Sequence, residues 1–163
     1  MYSWRELEPE KGRYDFSKIK QDVNYLKGYD KKLFIQLQDV TFDKKYKAVP
    51  DYLLTKEYDG GAVLQYNDTG EPEGWVAKRW NKKVQDRFAH LLRALGKEFG
   101  ELIAGINLQE TAIGVSPKTA PDFTEQAYVE GVKNNMLALK KAFPNVTTML
   151  YANFFPGEWF PFE

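Results

Sequence analysis

Gln109 and Glu110 stand side by side at the end of an apolar run, LIAGINLQ, over residues 102–109. A carboxylate next to two side-chain amides, here Asn107 and Gln109, can give or take a proton while its neighbours orient a hydroxyl. Gln38 and Asp39 close a similar run, LFIQLQ, and Asn153 and Glu158 follow a third, VTTMLY. Little other chemistry is open to the chain. It has no cysteine and one histidine, His90, which excludes thiol nucleophiles and thiolate metal sites and argues against histidine zinc sites and serine–histidine relays. Glycine-rich phosphate loops and calcium loops are missing, and no cofactor is implied. Carboxylates, amides and aromatic faces remain, the residue types that bind and cleave sugars. For Glu110 the plain alternative is a solvated loop carboxylate.

The 163 residues make one ordinary domain, and a content of 43% hydrophobic and 15% aromatic residues supplies a core. Lys+Arg and Asp+Glu both number 23, so the net charge is zero and offers no general attraction for nucleic acid or anionic lipid. No apolar run approaches the ~20 residues that span a bilayer. The start MYSWRELEPEKGR lacks the apolar middle of a signal peptide, so the chain as given reads as soluble, with no membrane and no nucleic-acid partner.

The elements that must position these residues alternate. A helix opening near Ser17 carries Phe16, Ile19, Val23 and Leu26 on one face and ends at Gly28, expected in the left-handed position. The strand 33–38 follows. A second helix, capped by Asn81, buries Val84, Phe88, Leu91, Leu92, Leu95 and Phe99 and stops at Gly100. The strand 102–109 comes next. A third helix has Asp122 and Glu125 at capping-box spacing, a face of Tyr128, Val132, Met136, Leu139 and Phe143, and Pro144 as terminator. The strand 146–151 ends the pattern. Helix and strand in alternation predict βαβ units with a parallel sheet, whose ligands gather at strand C-terminal ends. Residues 39–80 are too long for a simple connection and predict a short helix at 50–54 followed by a hairpin.

On these elements the segment SWRELEPEKGRYDFSKI, residues 3–19, resembles the W…LEP..G.YDF segment after the second strand in the large clan of retaining (β/α)8-barrel glycoside hydrolases. That clan includes bacterial β-galactosidases and cellulases. Its second hallmark, an amide–Glu pair closing the fourth strand, matches Gln109–Glu110, with Gln where the family usually has Asn. The resemblance implies that Glu110 is the acid/base and that Gln109 hydrogen-bonds the sugar. It also implies a β-linked carbohydrate as partner. The longer Gln arm weakens the sugar contact more than the acid/base assignment.

A complete barrel of this kind takes about 250 residues. The chain matches strands two to five, beginning near residues 2–4, so the fold expected is α/β, a single partial (β/α) TIM-type barrel over residues 1–163. The family's nucleophilic Glu lies on the seventh strand, and a retaining pair needs carboxyls ~5–5.5 Å apart. The isolated chain is thus expected to be inactive. It could be a fragment of a larger glycosidase, a half-barrel that pairs with another chain, or a noncatalytic sugar-binding or structural module. An open sheet exposes edges and an apolar inner face, so a homo-oligomer is expected.

Within the chain Gln38, Asp39, Asn107 and Asn153 are candidate sugar contacts, and Asp39 or Glu158 could pair with Glu110 in an inverting arrangement. Asp39 could instead bond its own turn, and Glu158 could be solvated. Among the aromatics Trp4 and Trp159 are the candidate sugar platforms, with Tyr66, Trp75 and Phe155 open to either role; Trp80 reads as a core staple. Glu6, Glu8 and Glu10 read as a solvated charge run, with Glu8 before Pro9 shaping its loop. Lys31, Lys32, Lys44, Lys45 and Lys47 read as solvated surface, and His90 as an exposed helix residue.

Overall fold

In chain order the polypeptide forms β1 (Tyr2–Ser3), α1 (Trp4–Leu7), α2 (Ser17–Lys27), β2 (Leu33–Gln38), β3 (Val40–Thr41), β4 (Ala62–Tyr66), β5 (Pro72–Ala77), α3 (Lys82–Phe99), β6 (Ile103–Leu108), α4 (Glu125–Ala142) and β7 (Thr147–Leu150). These elements are those of a computed structural model that describes residues 1–157. Candidates Trp159 and Glu158 lie outside the described residues.

β1, β2, β6 and β7 pair side by side in that order, all parallel. Alternation along each strand divides its side chains between two faces. Ile35, Leu37, Ile106 and Leu108 are buried on the outer face against Leu91, Leu92, Leu95 and Phe99 of α3. Phe34, Gln36, Asn107 and Met149 fall on the inner face, where Phe34 is 45% and Met149 51% exposed. A Cβ on Gly105 would collide with the Phe34 ring, which lies across that strand. This is the expected α/β architecture of parallel strands alternating with helices.

α3 forms as its pattern demands. The Asn81 side chain accepts hydrogen bonds from the backbone of Lys83 and Val84, and every expected apolar residue is buried. Each fully buried leucine there is worth ~1.5–3 kcal/mol. α3 packs closely on α4 because Gly96 has no side chain to strike the Ala142 carbonyl.

Three details depart from expectation. Gly28 is right-handed at φ −63°, and Asp30 at φ 54° takes the left-handed turn instead. The cap of α4 is Thr124, because Asp122 is drawn away by Lys78 Nζ at 2.9 Å and Trp80 Nε1 at 3.0 Å. The buried stripe of α4 runs through Tyr128, Val132, Asn135 and Leu139. Met136 lies about 100° round from Asn135 and is 42% exposed.

The long connection after β2 contains 3-10 turns at Asp51–Leu53 and Lys56–Tyr58, then the expected hairpin of β4 and β5. β3 joins β5 to make a second, antiparallel sheet of three strands. Gly74 of the hairpin presses on the Thr41 carbonyl, where a Cβ would clash. Trp4 opens α1 rather than extending β1, with the Ser3 and Glu6 side chains forming a capping box.

Candidate active site

Arg79, just past β5, is 4% exposed, and its guanidinium makes four hydrogen bonds to three residues. Its Nε and Nη2 bind Asp39 Oδ2 and Oδ1 at 2.8 and 2.7 Å, while Nη1 donates to the Glu110 carbonyl at 2.7 Å and the Tyr128 hydroxyl at 2.8 Å. The Tyr128 hydroxyl in turn donates a hydrogen bond to the Thr111 carbonyl at 2.7 Å. Burial works against the charge on Arg79, but Asp39 and Tyr128 more than offset it and raise its pKa. Burial likewise raises Tyr128, which keeps its proton. Gly131 of α4 makes room for this hub, since a Cβ there would meet the Arg79 carbonyl.

The hub fixes the segment after β6. Glu110, with its carbonyl on Arg79, turns its carboxylate into an open cleft of about 370 Å³. The opposite wall is the β4–β5 hairpin, with Tyr66, Asp68 and Glu73, and Phe42 and Phe154 flank it. The hairpin and the segment after β6 are tied together: Tyr66 N donates to Gly114 O at 2.8 Å, and Gly114 N donates to Gln65 Oε1 at 3.3 Å. One Glu110 oxygen, Oε2, accepts Nδ2 of Asn153 at 2.8 Å.

Of the residues singled out beforehand, Glu110, Asn153 and Tyr66 come together in this cleft. Asn153 touches Glu110 itself, so its amide is committed to the carboxylate. Gln109 goes elsewhere: it is 8% exposed, and its Oε1 accepts the backbone N–H of Asp39 at 2.7 Å and of Val40 at 2.8 Å. β6 ends at Leu108, so Gln109 turns inward as Glu110 turns out. Asp39 is consumed by Arg79 and is neither a free sugar contact nor half of a carboxylate pair. Gln38 and Asn107 lie on the inner sheet face rather than in the cleft, and Asn107 Oδ1 is buried with no partner among the described residues.

Trp4 is a core residue rather than a sugar platform. It is 1% exposed, its ring lies 4.9 Å from that of Phe88 and its Nε1 donates to Glu8 Oε2 at 2.9 Å. Glu8 is fully buried rather than solvated. It also accepts Tyr52 Oη and Gly12 N, both at 2.8 Å, and pairs with Arg87. Trp80 packs edge-on to Phe123, as a core staple should. Trp75 donates Nε1 to Lys44 O and carries Lys47 Nζ 4.0 Å above its ring, so part of the lysine cluster stacks rather than floats. Arg79 belongs to no motif; it stands beside Lys78 between Ala77 and Trp80, and nothing in the local sequence sets it apart from that neighbour.

Neither a family model nor a curated protein matches the chain. Solved structures do. Endo-glycoceramidase II from Rhodococcus sp., as its lactosyl-enzyme intermediate, superposes with TM-score 0.60 and 13% identity over 91% of this chain and 39% of its own. The alpha-galactosidase from Lactobacillus brevis matches with TM-score 0.53 and 13% identity over 86% and 19%. The catalytic domain of beta-amylase from Paenibacillus polymyxa matches with TM-score 0.52 and 13% identity over 65% and 27%. The chain thus spans less than half the length of each. The likeness is one of fold: the parallel sheet and its helices form part of a TIM barrel of the kind these glycoside hydrolases share.

Proposed function

We propose that the chain carries the acid/base half of a retaining β-glycoside hydrolase site, with Glu110 as proton donor to the leaving oxygen and then as base toward water. The observation that supports this most is the placement of Glu110: it follows a parallel strand at its C-terminal end, opens on a cleft, and is gripped from the end of the next strand by Asn153. Barrel enzymes build their sites at that rim. The second carboxylate of a retaining pair would come from a strand other than β1, β2, β6 and β7, so the chain alone binds a β-linked saccharide without cleaving it.

Calorimetric titration with cellobiose and lactose, beside an assay on aryl β-glycosides, tests this. Saccharide binding without turnover, weakened in Glu110→Ala, is the expected result. Turnover that persists in Glu110→Gln would remove Glu110 from the chemistry, and no saccharide affinity at all would remove the carbohydrate reading.

A further inference from the structure

The two carboxylate oxygens of Glu110 have unlike surroundings. Oε2 is taken by Asn153 Nδ2, whereas Oε1 has no hydrogen-bond partner among the described residues, and the residue lines the cleft. Asn153 is in turn held at its other end, because its Oδ1 accepts the Ala112 N–H at 2.8 Å and the Thr111 hydroxyl at 3.0 Å. A backbone N–H can only donate, so the amide has one possible orientation, with NH₂ toward Glu110. Thr111 is fully buried and closes the anchor: its hydroxyl also accepts Asn153 N at 3.2 Å and reaches the Phe154 carbonyl at 3.0 Å.

We infer that Asn153 is a positioning residue that reserves Oε2 and leaves Oε1 as the atom through which Glu110 moves its proton. This rests on the acid/base reading above. In that reading the proton passes from Oε1 to the glycosidic oxygen as the C–O bond breaks, its electron pair goes to the departing oxygen, and the anomeric carbon bonds to the second carboxylate that another strand supplies. The new negative charge on Glu110 is then met by Nδ2–H, and a water that later attacks the anomeric carbon gives a proton to Oε1 as the bond to the second carboxylate breaks. Such a donor, fixed in advance, stabilises charge where it develops. Other charged groups near the carboxylate are Asp68 and Glu73 across the cleft and Arg79, which touches the Glu110 carbonyl with Asp39 behind it. The Tyr128 hydroxyl also lies on Arg79.

The side-chain amide resonances of Asn153, assigned by their loss in Asn153→Asp, report on this contact in ¹⁵N-labelled chain titrated from about pH 7 to pH 4, the range of carboxylate protonation. The expected result is a pH-dependent shift in the wild type that vanishes in Glu110→Gln and survives in Asp68→Asn and Glu73→Gln. A shift that persists in Glu110→Gln, that is lost with Asp68 or Glu73, or that never occurs overturns the assignment. Adding cellobiose to the same samples separates the two readings. A titrating amide without sugar binding keeps the positioning role and discards the glycosidase reading, while sugar binding with a silent amide does the reverse.

Discussion

Arg79 and Asp39 form a two-point ion pair at 2.8 and 2.7 Å in which both side chains are under a tenth exposed. Asp39 belongs to the turn after β2 and Arg79 to the one after β5, so the pair locks the antiparallel hairpin sheet to the barrel-type sheet. It also sets the height of the Glu110 carbonyl.

Breaking it should be expensive. Asp39→Asn leaves a buried guanidinium short of its counter-charge, a change that costs about 3–5 kcal/mol when one partner is removed. Arg79→Lys should behave similarly, since a lysine offers no planar fork. Urea unfolding midpoints measure both. A loss under about 1 kcal/mol, the level of an exposed pair, would show that the site is wetter than its burial indicates.

Trp4→Phe distinguishes core from sugar platform. Removing the indole N–H leaves a buried Glu8 oxygen with one donor fewer, a penalty of about 1–3 kcal/mol. The expected outcome is a lower unfolding midpoint with saccharide affinity unchanged. Lower affinity at full stability would restore Trp4 to a subsite.

How much of this was legible in the residues depends on the range of the interaction. The periodicity of Val84 to Phe99 and the cap at Asn81 predict α3, because helix patterns and caps are local. β2 and β6 were likewise readable within a residue at each end. Gln109, by contrast, looked like a sugar ligand because its duty lies 70 residues away, on the backbone of Asp39. Glu8 looked solvated for the same reason, its Arg87 partner being 79 residues distant. The placement of Glu110 on a cleft could be anticipated, since its position at a strand end is itself a local fact. Its grip by Asn153 could not, because that requires the order of β6 and β7 in the sheet.

Alkaline pH should destabilise the fold. Burial pushes the hydroxyls of Tyr2, Tyr52 and Tyr128 above the ordinary tyrosine value of about 10. The folded chain therefore holds these protons more tightly than the unfolded one. Their contribution is complete below about pH 10 and is lost as pH rises beyond it. Melting temperatures between about pH 8 and pH 11 should fall, and fall less steeply in Tyr52→Phe; equal slopes would remove Tyr52 from the effect.

We predict self-association through the inner sheet face, where Phe34 and Met149 are each about half exposed and β7 is an edge strand among the described residues. Light scattering across a concentration series should give a mass above the 18.9 kDa of one chain. Phe34→Gln with Met149→Gln should return it toward the monomer. A wild-type monomer at every concentration would mean that this face stays open to water.

The hub around Arg79 also has a temporal meaning. Its bonds close chain separations of 40 residues to Asp39, 31 to the Glu110 carbonyl and 49 to Tyr128, and the Glu110–Asn153 contact closes another 43. Each loop costs entropy before its bond repays it, and contacts of high sequence separation slow the folding of a domain. The helices can form early from local signals, but the cleft exists only once five separate segments have met. During synthesis, then, the chain must emerge past Asn153 before the Glu110 carboxylate has a fixed place, and every earlier nascent form is a scaffold without the cleft.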